Sequence, residues 1–188
     1  MSQNLATSAK IEDLLELARI AATKAGDYVN KRPESFDLNI KTSARDFATQ
    51  MDIASEKMIV ETILATRPHD GIIGEEGGSR ESKSGYTWVI DPIDGTVNYF
   101  YGMPGWNVSV AVKDSEGVVA GVVYAPTINS LWHATRGGGA FYNGKQVHCN
   151  NPVNLSEALI ATGFGYDLEL RKGQAAFVAK LLPRCRDI

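Results

Sequence analysis

Apolar residues recur early in the chain at helical spacing. Ile11, Leu14, Leu15, Ala18, Ala21, Ala22 and Ala25 fall at i, i+3, i+4, i+7, i+10, i+11 and i+14. At 3.6 residues per turn these positions line one stripe and predict an amphipathic helix, with Gly26 near its end. A second helix is expected over 47–66, with Phe47, Met51, Ala54 and Met58 on one face and Pro68 just past its end. Between the two, 31–45 is polar and holds Pro33, so it reads as an extended excursion or mobile loop.

Beyond Pro68 the texture changes. Segments 86–90, 106–112, 118–124 and 131–134 are short, rich in β-branched and aromatic residues, and separated by turn chemistry, so they predict strands. Ser115-Glu116-Gly117 suits a hairpin, and Asn143-Gly144 suits a type I′ turn. The short links favour antiparallel pairing, because parallel strands need long crossovers. Segment 158–162 reads as a further strand and 170–182 as a helix ended by Pro183. Trp88, Trp106 and Trp132 lie in or beside strands and read as core. The pattern is α+β: helices, then an antiparallel sheet, in a single domain.

Composition narrows the function classes. The 188 residues are 44% hydrophobic and 22% charged, an ordinary globular balance. Nineteen Lys and Arg against 22 Asp and Glu leave a net charge of −3, which gives no electrostatic case for direct nucleic-acid or membrane-surface binding. The N-terminal residues show no secretory pattern, and no apolar run is long enough to span a bilayer. Cys149 and Cys185 match no zinc or redox spacing and fit a reducing, cytoplasmic setting. His69, His133 and His148 show no paired spacing. Gly139 to Gln146 nearly spells a phosphate-binding P-loop, but Gln146 stands where Ser or Thr should meet Mg²⁺, and a hairpin explains the run.

The densest chemistry lies in Trp88-Val-Ile-Asp91-Pro-Ile-Asp94-Gly-Thr96. A strand delivers two carboxylates three residues apart, Pro92 stiffens the connection, and Gly95 frees the backbone to turn. Upstream, Gly74-Glu75-Glu76-Gly77-Gly78 is an acidic, glycine-rich turn. Turns on adjacent strands can aim Glu75, Asp91 and Asp94 at one point. Three converging carboxylates repel one another unless a cation compensates them, and all-oxygen ligation suits Mg²⁺ or Mn²⁺. Gly95 and Thr96 would offer amides to a phosphate, and the Thr96 hydroxyl could orient a water. On residue chemistry alone a second reading stays open, in which these acidic residues simply build solvated turns. An aspartyl-phosphate mechanism needs Asp-x-Asp, whereas here two residues intervene.

Gly74-Glu75-Glu76 followed by WVIDPIDGTVNY resembles the inositol monophosphatase family of Mg²⁺-dependent phosphomonoesterases. The resemblance continues through Gly121-Val-Val-Tyr-Ala-Pro, Gly137 to Phe141, Asn143-Gly144 and Ala161-Thr-Gly-Phe, from about Ile11 onward. It implies a layered αβαβα sandwich whose second layer is incomplete in this chain. It also implies Glu75, Asp91, Asp94 and the Ile93 carbonyl as ligands for two or three Mg²⁺ ions, or Mn²⁺. Thr96 with Asp52 would hold and activate the attacking water, Glu75 would share in catalysis through its ion, and Gly95, Thr96, Asp94 and Lys41 would meet the substrate. Asp52 is otherwise a first-turn helix carboxylate favoured by the dipole.

The implied substrate is a small phosphorylated polyol or sugar, inositol-1-phosphate first. Lithium inhibition and a homodimer are implied as well, and some bacterial members partner the transcription and antitermination machinery. The resemblance further implies a longer chain, whose continuation carries a Trp-Asp motif completing a second metal position. We therefore expect a fragment with exposed apolar surface, marginal or prone to associate.

Overall fold

The first stripe forms helix α1, Ser2–Val29, in a computed structural model that describes residues 2–150 and 152–188, with side chains described from Lys10 onward. Leu14, Ala18, Ala21, Ala22 and Ala25 are buried along it. Gly26 lies inside the helix and does not end it. A Cβ there would meet the Tyr124 ring at 2.6 Å, so the glycine lets the helix close on the sheet.

Strands β1 (Leu38–Ser43) and β2 (Asp46–Thr49) form a two-stranded sheet where the polar excursion was expected. Helix α2 therefore begins at Gln50 and runs to Thr66, with Phe47 in β2. Its buried face is Met51, Asp52, Ser55, Glu56, Ile59 and Ile63. That face is rotated from the one the apolar pattern predicts, and Ala54 and Met58 are only half-buried.

An eight-stranded sheet follows, from β3 (Gly71–Gly74), β4 (Ser79–Arg80), β5 (Thr87–Asp94), β6 (Asn107–Asp114), β7 (Gly117–Ala125), β8 (Ser130–Thr135), β9 (Gly139–Tyr142) and β10 (Lys145–Val147). Its order is β10-β9-β8-β7-β6-β5-β3-β4. Trp88 and Ile90 on β5, Val108, Val110 and Val112 on β6, and Ala120 and Val122 on β7 share one face and join the helices in the core. The short α3, Thr96–Tyr101, follows β5.

The neighbours pair antiparallel as expected, except that β3 runs parallel to β5. The 75–86 link, with β4 inside it, is long enough to carry the chain back for a parallel return. Asn143 and Gly144 have φ of 45° and 78°, the conformation of a type I′ turn, and make Gly139 to Gln146 a hairpin. Trp88 and Trp106 are core, but Trp132 is 37% exposed and stacks on Tyr142. It alternates with Leu131, which turns to the core, so it faces away.

The chain divides into two compact units, one of residues 1–39 with 48–147 and one of residues 40–47 with 148–188. In the second, 158–162 is not a strand. A single parallel bridge, Leu159 to Asp187, stands there, with the Ile160 N–H donating to the Asp187 carbonyl at 3.0 Å. Helix α4, Leu168–Leu181, is capped by the Asp167 carboxylate, which accepts from the Leu170 N–H at 2.8 Å. None of its residues is buried.

Asp70, 1% exposed, ties the first unit together behind β3. It accepts from Arg67 Nε at 2.5 Å, Ser84 Oγ at 2.5 Å and Trp88 Nε1 at 2.9 Å. Burial alone would raise this carboxyl, but the three donors outweigh it and hold it below the ordinary 3.8. A depressed carboxylate adds stability above its unfolded pKa and loses it as pH falls through the folded one. Asp70→Asn should cost about 2 kcal/mol at pH 7 by urea denaturation, since half-exposed Arg67 would be left without its anion. The difference from wild type should shrink below pH 3.8.

Candidate active site

Three side chains on one buried face of α2 hold two segments, the β5–α3 connection and the 74–78 turn. Asp52 stands at the third helical position and completes a capping box with Thr49. Its Oδ2 accepts from the Thr49 N–H at 2.8 Å and the Thr49 hydroxyl at 2.6 Å, and its Oδ1 accepts from Thr96 Oγ1 at 3.1 Å. Ser55 Oγ donates to the Pro92 carbonyl at 3.1 Å. Glu56 accepts from the Glu76 N–H at 2.7 Å and the Gly78 N–H at 2.8 Å. Spacings of three and four put 52, 55 and 56 on one side of the helix. Sequence reasoning missed Ser55 and Glu56. The signal was present: with Ile59 and Ile63 they continue a single helical stripe that starts from Asp52.

The parallel pairing brings the two acidic turns together. Gly74 is opposite Ile90, so Glu75 and Asp91 leave the same end of adjacent strands. Past Asp91 the β5–β6 register shifts before Asp94 meets Asn107, an irregularity that Pro92 favours because it can donate no ladder bond. Gly95 turns the chain with φ of 93°, and a Cβ there would lie 2.8 Å from the Gly105 carbonyl. That turn sets buried Thr96 at the start of α3, its hydroxyl within 3.1 Å of both Asp52 and the Ile93 carbonyl.

The electrostatics are those of anions held close. Burial, then the neighbouring Glu75 carboxylate and Asp94, push Asp91 up to about 8. Its Oδ1 is buried without a hydrogen-bond partner. Burial also raises Asp52, against the pull of its Thr49 and Thr96 donors. Glu75 and Asp94 thus both bear on Asp91 through their charge. Asp94 is exposed and accepts from Asn107 Nδ2 at 3.1 Å, and among the described residues no three acidic, His or Cys side chains gather as one cluster. Lys41 lies on β1 in the second unit and is exposed.

An oxygen-only donor set with an orphaned, buried carboxylate oxygen suits a hard divalent cation. Glu75, Asp91, Asp94 and the Ile93 carbonyl fit that group. The sequence pattern of the inositol monophosphatase family matches residues 10–187, this donor set included.

The chain belongs to the inositol monophosphatase family. Within it, the chain is 37% identical over 179 residues to the Nus factor SuhB of Pasteurella multocida, covering 93% of this chain and 67% of that one. It is 35% identical over 197 residues to the inositol-1-monophosphatase of Mycobacterium leprae, covering 94% and 68%. The crystal structure of the extragenic suppressor protein SuhB from Bartonella henselae superposes with a TM-score of 0.87 at 28% identity, over 94% of this chain and 69% of that one. The chain thus spans about two thirds of the length of these inositol monophosphatase relatives. The mixed sheet and helices are the α+β architecture of that fold. No described helix is long and apolar enough to cross a membrane.

Proposed function

We propose that this site hydrolyses a small phosphomonoester with Mg²⁺, inositol-1-phosphate first among substrates, by direct attack of water on phosphorus. The observation that carries the reading is the buried hydrogen bond from Thr96 to Asp52 of α2, five residues past the orphaned Asp91 oxygen. The Thr96 proton can serve one acceptor at a time. Donated to Asp52, it leaves the Thr96 oxygen lone pairs for a water proton and leaves the Ile93 carbonyl open.

As water attacks, its proton moves to Thr96 Oγ1 and the Thr96 proton moves to Asp52, whose burial raises its pKa and so favours receiving one. The new phosphorus–oxygen bond forms as the ester bond breaks, and the alkoxide leaves to take a proton from solvent. A divalent cation held by Glu75, Asp91, Asp94 and the Ile93 carbonyl would supply the charge that polarises the phosphoryl group and acidifies water. Two or three Mg²⁺ ions, or Mn²⁺, lithium inhibition, a homodimer and a cytoplasmic setting accompany this reading through the family. Gly95, Thr96, Asp94 and Lys41 complete it as substrate contacts. Histidinol phosphate, fructose-1,6-bisphosphate and 3′-phosphoadenosine nucleotides are the competing substrates.

Phosphate release from this panel at increasing Mg²⁺ tests the proposal. Thr96→Ala should lower kcat about 100-fold while leaving Mn²⁺ affinity unchanged, because the hydroxyl passes a proton and binds no ion. A collapse of Mn²⁺ affinity in that variant would show that the hydroxyl's role is misassigned.

A second reading rests on the Pasteurella relative's name, Nus factor. In that reading the chain binds the transcription machinery through protein contacts, and hydrolysis is secondary. A pull-down with Asp94→Asn separates the two: retained binding with lost hydrolysis assigns them to different surfaces.

A further inference from the structure

We propose that Glu56 is the positioning residue for Glu75, and that it sets the affinity of the site for its cation without touching that cation. The inference rests on the metal-site reading above. The 74–78 turn closes on itself through the Gly74 N–H and the Gly78 carbonyl at 2.6 Å. Glu56, 5% exposed, enters from α2 beneath it and gives one carboxylate oxygen to each of two loop amides, Glu76 and Gly78.

Glu75 is thereby fixed from both sides. On one side Gly74 is paired in β3, and on the other the Glu76 amide is bound to α2. The space beneath is filled as well: a Cβ on Gly74 would lie 2.4 Å from the Glu56 carboxylate, and one on Gly78 would lie 2.8 Å from it. Glu75 therefore stands on a turn seated on α2, one residue past the Gly74–Ile90 pairing and so beside Asp91 at the same end of the sheet. A charged acceptor shared by two amides is stronger and more directional than a neutral one. Residues that orient a metal ligand in this way change metal affinity about 10- to 100-fold when lost.

The test follows Mn²⁺ binding to the metal-free full chain by electron paramagnetic resonance, and amide exchange at Glu76 and Gly78 by NMR, in wild type, Glu56→Gln and Gly78→Ala. Glutamine keeps the shape but turns one acceptor into a donor facing an N–H. Gly78→Ala leaves Glu56 in place and pushes the loop off it. Gly78 does not have a left-handed φ, so the alanine adds only the close contact.

Both variants should weaken Mn²⁺ about tenfold and speed exchange at the two amides about tenfold. The Mg²⁺ needed for half-maximal activity should rise, with kcat recovering at saturating Mg²⁺, a split that a loss of stability alone does not produce. A folded variant with wild-type Mn²⁺ affinity and protected amides overturns the proposal. If Glu75→Gln binds Mn²⁺ as wild type does, the metal reading fails. The positioning of Glu75 is then decided by exchange alone: faster exchange in both variants sustains it, and unchanged exchange overturns it.

Discussion

Asp91→Asn should abolish Mg²⁺-dependent phosphate release, lowering kcat/KM by about 1,000-fold or more, while leaving the unfolding midpoint at or above that of wild type. Both halves follow from the same geometry. Asp91 is half-buried beside Glu75, with its Oδ1 buried and unpartnered, so in the metal-free protein its charge is a burden. Removing that charge relieves repulsion in the fold and removes the anion that compensates a cation.

The pH dependence has a definite sign. With Asp91 pushed up to about 8, its carboxyl holds a proton at pH 7. A cation must expel it, so apparent metal affinity should rise with pH toward about 8 and level off above. Calorimetric titration in two buffers of different ionisation enthalpy should show proton release in wild type and none in Asp91→Asn. Activity retained in this variant would remove the carboxylate from the metal site.

Asp52→Asn should be nearly as severe for a different reason. If the amide oxygen keeps the Thr49 side, its NH₂ faces Thr96 and reverses that hydrogen bond. Thr96 then accepts where it must donate, and its oxygen no longer takes a water proton. We expect kcat to fall about 100- to 1,000-fold at unchanged Mn²⁺ affinity, read by phosphate release and paramagnetic resonance together. The altered capping box should cost no more than about 1 kcal/mol, read by urea denaturation. A kcat loss that saturating Mg²⁺ restores would place Asp52 among the metal-positioning groups instead.

The difference between what could be read from sequence and what could not is physical. α1 and the strands β5 to β8 announce themselves because each buries a regular apolar face, and Gly95-Thr96 because a glycine ahead of a threonine signals the turn. The face of α2 was misjudged because periodicity looks for apolar residues, whereas this helix buries Asp52, Ser55 and Glu56 against loops that satisfy them. The parallel β3–β5 pair escaped because β3 is four residues long and its crossover holds no helix. Spacing puts Asp94 near Asp91, and its charge does act there. Its hydrogen-bond donor, Asn107, comes from a strand that spacing does not reach.

The polar stripe of α2 also limits how the helix can dock. An all-apolar face tolerates rotation or sliding by a turn, since one aliphatic contact replaces another at small cost. Here a rotation would bury two carboxylates and a hydroxyl against hydrocarbon and strand three backbone groups, Pro92 O, Glu76 N–H and Gly78 N–H. The alternatives lie far above the native seating. The same groups that build the chemistry therefore act as a key that admits the helix to the sheet in one orientation only.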